Sequence, residues 1–202
     1  GPQNGGGIVN YVTGAIPEDF AAKRDVHSEL RPSSSQDGLK TNHNVLIGGT
    51  GANGLGGALL CSGSRGGDWR EHSDTRIDDL ILKGRFQPSD EHTFSAMTQY
   101  YDGEADMPGG LGTAAYRHDP YQSTRPHDQL WGRRTLASAS YEHTPNASQK
   151  LNVTAFFTNT LRSGYLVHAR NLTLSPREYR VRRLATRFSQ GLELGESRHE
   201  VG

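Results

Sequence analysis

"VLIGGTGANGLGGALL", residues 45–60, decides how the rest of the chain is read. Its Gly49-Thr50-Gly51-Ala52-Asn53-Gly54 fits the G-x-G-x-x-G pattern of a dinucleotide-binding loop. Such a loop cradles a pyrophosphate only where a strand enters and a helix leaves, because amides at the helix N-terminus supply the donors. After Gly57 only residues 58–62 intervene before Gly63, Gly66 and Gly67 interrupt the chain again, so no helix of ordinary length fits. Asn53-Gly54 between two alternating runs reads instead as a hairpin turn, since both residues tolerate positive φ. The stretch is two strands and a turn, and no nucleotide is expected there.

Working outward, alternation with period two recurs, whereas helical periodicity does not. In "LNVTAFFT", Leu151, Val153, Ala155 and Phe157 share one face, with Asn152, Thr154 and Thr158 opposite and Phe156 as the exception. In "DLILKGRF", Leu80, Leu82 and Phe86 oppose Ile81, Lys83 and Arg85. "TLASASYE" and "HTFSAMTQYY" repeat the rhythm. Turn signals at residues 52–54, 88–90 and 145–146 alternate with longer connections at 66–75, 103–133 and 163–175. Brief turns at one end and long loops at the other describe an up-and-down antiparallel meander of roughly eight strands. At about ten residues each, such strands match a tilted bilayer crossing.

Composition points the same way. Only 33% of the 202 residues are hydrophobic, too few for a dry core of that size. Mean hydropathy is −0.71, and no run approaches the roughly 18 apolar residues of a spanning helix. A formal charge of zero argues against a nucleic-acid footprint. The single cysteine, Cys61, excludes an internal disulfide and a thiolate metal cluster. Gly1-Pro2-Gln3 is no signal peptide, and His199-Glu200-Val201-Gly202 reads like a strand cut in the middle, so a piece of a longer chain is expected.

Constellations that could carry chemistry are few. Asp102, Glu104 and Asp106 could ligate a hard cation but lack the fixed glycine and distal glutamate of an EF-hand, so a solvated acidic loop is the plainer reading. "DWREHSDTRIDD" has no zinc-ligand spacing, and its Arg70 and Arg76 suggest local ion pairs. No G-x-S-x-G elbow exists, and no enzyme is expected. Arg162 follows one strand and Arg177 opens the next. If those strands are neighbours, two guanidinium forks share a rim and could grip carboxylates bidentately, or could equally be solvated rim charges.

Longer strings carry a resemblance. "GPQNGGGIVNYVT" resembles the end of the plug domain of TonB-dependent outer-membrane receptors. "DWREHSDTRIDDLILK", "QYYDGEADMPGGL", "STRPHDQLWGRR" and "LRSGYL" with "LTLSPREY" resemble the members of that family that take up ferric citrate. The resemblance implies an all-β chain forming part of a barrel of about 22 strands with a plugged lumen. Residues 1–17 would end the plug, and 18–202 would be the N-terminal part of the transmembrane barrel. It further implies an outer membrane of a Gram-negative bacterium, active transport of iron(III) dicitrate energised through the TonB protein, and no resident cofactor or metal. The partners implied are ferric citrate, TonB and outer-membrane lipid. By motif position Arg162 and Arg177 are the residues carried over as ferric citrate ligands, while Gln3 and Asn4 receive no ligand role. The chain departs from the family pattern at Gly14 and Arg183, where arginine and glycine are expected, and at Cys61 and Arg180, where tyrosine and tryptophan are expected. Two rival readings remain: the same barrel serving another anionic metal chelate, and a soluble β-sandwich binding module.

Overall fold

The structure, a computed structural model, describes residues 13–31, 38–146, 149–167 and 174–192. Gln3, Asn4 and most of the stretch resembling a plug lie outside these residues. Eight strands follow one another: β1 (Ala21–Arg31), β2 (Gly38–Thr50), β3 (Leu55–Gly66), β4 (Thr75–Ser89), β5 (His92–Asp106), β6 (Gln129–Asn146), β7 (Gln149–Val167) and β8 (Leu174–Leu192). They form one antiparallel sheet in chain order, each strand paired with its sequence neighbour. The Asn53-Gly54 turn is where the glycine pattern placed it. Gly54 has φ of 77°, its carbonyl accepts the Gln87 amide at 2.9 Å, and a Cβ there would run into the Gln87 carbonyl.

Register divides the sheet into two faces. Leu59, Leu82, Thr98, Ala137 and Phe157 are successive partners across β3 to β7, and Phe86, Phe94, Tyr141 and Val153 form a second row nearer the short turns. Leu59, Leu82, Phe86, Phe94 and Phe157 are all exposed, whereas Ala58 and Ile81 are the buried hydrophobic residues among those described. A soluble sandwich needs the reverse, with its large apolar side chains enclosed between two sheets. The sandwich reading therefore fails. An apolar band that solvates itself in lipid explains the exposure, with Phe86, Phe94 and Tyr141 at the level where barrels place an aromatic girdle.

The opposite face is polar and, in a barrel with an apolar outside, is the inner one. On it Gln99 donates to both Asp79 oxygens at 2.8 Å, and Arg134 donates to Gln99 Oε1 at 2.9 Å, linking β4, β5 and β6. Residues 13–17 lie against this wall. Lys83 Nζ donates to the carbonyls of Thr13 at 3.2 Å and Gly14 at 2.7 Å, and Thr50 Oγ1 donates to Pro17 O at 2.9 Å.

The strands are longer than the ten residues expected, reaching 15 in β4 and β5 and 19 in β7 and β8. They run past the apolar band at the loop end, where the outward row turns charged: Asp78, Asp102 and Arg133 are successive partners. Alternation survives there but hydropathy does not, so sequence reading ended each strand too early. Helical structure is also present, as the single turn and a half of α1 (Thr113–His118) between β5 and β6. Of the departures, Cys61 sits on the outward face between Val45 and Leu80. Arg180 is placed on that face opposite Leu161, in the row that contains Arg133 and Asp102. That is the charged margin of the band, not its midplane. Arg183, paired with Thr158, takes the inner face.

Candidate functional site

The loop end is built by contacts between distant residues. Arg70, on the connection from β3 to β4, donates to Gly109 O at 2.6 Å, Pro108 O at 3.2 Å and Gln122 O at 2.8 Å. This guanidinium thus clamps both arms of the connection from β5 to β6, rather than forming the ion pair expected of it. The Glu71 amide bonds Tyr121 O at 2.8 Å, and the Trp69 and Tyr121 rings meet edge to face at 6.0 Å. His72 places Nε2 2.7 Å from Asp128 O and Nδ1 3.5 Å from the Asp106 carboxylate. Two connections that look independent in sequence are one cap.

The acidic residues near this end are not a cation cage. Asp102, Glu104 and Asp106 belong to β5 rather than to a loop, and alternate positions put all three on the outward face. Asp102 accepts from Arg133 Nε at 2.9 Å, and Gln129 Nε2 donates to Glu104 at 2.6 Å and Asp106 at 3.1 Å. Arg76 does lie near Asp78, at 3.9 Å, but the closer partner of Asp78 is Arg65, which grips both carboxylate oxygens at 2.6 and 2.7 Å.

Inside the wall at this end is a hollow of about 390 Å³. Its floor is a row of partners across four strands: Ile77, Gly103, Gly132 and Arg162. Neither Gly103 nor Gly132 adds a side chain of its own to the row between Ile77 and Arg162. Tyr101 folds back over Gly103, its Cζ at 2.8 Å from where a Cβ would stand. Arg162 is exposed, lines the hollow, and makes no hydrogen bond or ion pair with another described residue.

Arg162 lies within β7 and Arg177 within β8, not at the strand ends expected for them. Arg162 pairs with Tyr179, and Arg177 pairs with Gly164 two residues further on. Both positions thus take the inner face as diagonal neighbours on adjacent strands. Tyr101 and the glycine pair were missed by sequence reading, because only cross-strand register reveals that they adjoin Arg162.

No family model matches the chain. Among solved structures, it is similar to the crystal structure of the ferric citrate transporter FecA in the unliganded form. The two are 55% identical with a TM-score of 0.84, over 96% of this chain. The chain belongs to the TonB-dependent receptor family. It spans 30% of the length of that transporter, so it corresponds to one sector of such a barrel. An eight-stranded sheet with single neighbours at β1 and β8 is what a sector of a larger cylinder looks like.

Proposed function

We propose that this sector works within an outer-membrane transporter that takes up ferric citrate, energised through TonB, in a Gram-negative bacterium. Arg162 and Arg177 act as ligands for the citrate carboxylates. The observation that supports this most is Arg162, which bonds no other described residue and lines a hollow of small-ligand size, in a chain so similar to a ferric citrate transporter. A planar fork of donors matches a carboxylate bidentately, and a diagonal second arginine would suit a complex bearing several carboxylates. The hollow falls in the size range of small-ligand sites, at about 300–1,000 Å³.

In this reading the inner wall holds the anion through the two arginines, whose forks match its carboxylates. The extreme turn end, with TonB acting on the plug beyond it, has no part in recognition. The test is binding of ferric citrate to the intact receptor. Arg162→Ala and Arg177→Ala should each weaken it about tenfold or more, equivalent to about 1.4 kcal/mol. Unchanged affinity in both variants removes these residues from the site. Tighter binding of a different ferric chelate in the same titration would show that the barrel serves another anion.

A further inference from the structure

At the turn end, far from the hollow, three potential ligands converge. His92 and His143 are direct cross-strand partners on β5 and β6, and Glu91 occupies the tight turn that leads into β5. One donor atom from each of the three lies within 4.8 Å of the others. The imidazoles are nearly parallel, with centroids 4.6 Å apart and planes inclined by 10°. The Glu91 carbonyl accepts the Thr144 amide at 2.8 Å, which ties the turn to the strand end carrying His143.

We propose that Glu91, His92 and His143 form a binding site for a first-row divalent transition ion such as zinc. Two imidazoles and one carboxylate are the donor set such ions favour over calcium or magnesium. Three protein ligands with a water in the fourth position complete a tetrahedral site. Two further observations go beyond proximity. The Tyr141 hydroxyl lies 2.8 Å from His92 Nδ1, so it orients that ring and leaves Nε2 as the ligand atom, in the manner of an outer-shell partner. His143 Nδ1 is buried without a hydrogen-bond partner among the described residues, a cost that coordination of this ring and its reorientation would relieve. The strand register already sets the two histidines opposite one another, with the three donor atoms within 4.8 Å. The bound ion would fasten the turn between β4 and β5 to β6.

The site stands apart from ferric citrate recognition, so its failure leaves that proposal untouched. The experiment titrates cobalt(II), as a visible-absorbing stand-in for zinc, into the intact receptor in detergent, purified without a histidine tag. One ion should bind per chain in about the micromolar range, with the intense visible absorption of tetrahedral cobalt. His92→Ala and His143→Ala should each weaken binding at least tenfold, and Glu91→Gln by a smaller factor. Each variant is checked for retained ferric citrate binding, which shows that the barrel has folded. Equal cobalt affinity in wild type and the His92→Ala/His143→Ala double variant would overturn the proposal. So would the absence of binding below about 1 mM, which would leave these rings as members of the aromatic girdle.

Discussion

The two ends of this sheet are held together by different physics. At the turn end, Asn53-Gly54 folds the chain back within a few residues, and the bonds that close it are local: Gly51 N to Leu55 O at 2.8 Å and Gly54 N to Gly51 O at 3.0 Å. At the loop end, the decisive bonds join residues far apart in sequence, with Arg70 reaching Gln122 and His72 reaching Asp128. Local bonds can be read from neighbouring letters. Distant ones depend on a register that no short window contains. The Asn53-Gly54 turn is therefore set largely by backbone preference, whereas the loop end depends on bonds between distant residues, several of them side chains reaching main-chain carbonyls.

The sharpest way to break that contrast is Arg70→Ala. Three carbonyl oxygens would lose a charged donor, and hydrogen bonds to charged groups are worth about 1.5–3 kcal/mol each before water replaces them. With water access allowed for, a local loss of about 2–4 kcal/mol is expected. Amide exchange within residues 107–128 should then accelerate by about 30- to 1,000-fold, since each 1.4 kcal/mol is about a factor of ten. The Thr144 amide at the other end should not change. Equal acceleration at both ends would mean that the cap is not an independent unit.

A substitution at the turn end should act globally instead. Gly54→Val forces a β-branched residue to φ of 77° and drives its Cβ against the Gln87 carbonyl. The expected destabilisation is about 1–3 kcal/mol, the range for strained backbone positions. It is measured by denaturant unfolding of the intact receptor in lipid vesicles. Exchange at residues 107–128 should keep its wild-type rate relative to the rest of the chain. A cost below about 0.5 kcal/mol would show that the turn adapts and does not set the register of β2 against β3.

These differences also explain what was legible. Alternation in "DLILKGRF" and "LNVTAFFT" was enough to assign the sheet, its order and its apolar band, because period two is a property of one strand. It failed where the outward row became charged, so Asp102, Glu104 and Asp106 read as loop although they continue β5. Arg162 and Arg177 could be named from motif position, but their shared inner face follows only from pairing β7 with β8. The Gly103 and Gly132 floor, Tyr101 above it, and the His92 and His143 pair had no signal at all in a linear reading. Each is assembled from partners on different strands, and its meaning appears only once the strands lie side by side.

The smallest effect is expected where the loop end looks strongest. Arg65 grips Asp78 through two bonds of 2.6 and 2.7 Å, a geometry that suggests a rivet between β3 and β4. Yet both side chains are 44% exposed, so water screens the charges and competes for the same donors. Arg65 also donates to Ile77 O at 2.8 Å and Ser64 O at 3.1 Å, which keeps it in place without the carboxylate. Asp78→Asn should therefore cost no more than about 1 kcal/mol in the same vesicle unfolding measurement, and less as salt is added. A loss of several kcal/mol, insensitive to salt, would mean that the pair lies in lipid rather than at the wet margin of the band. The apolar band would then reach further toward the loops than Leu80 and Tyr100.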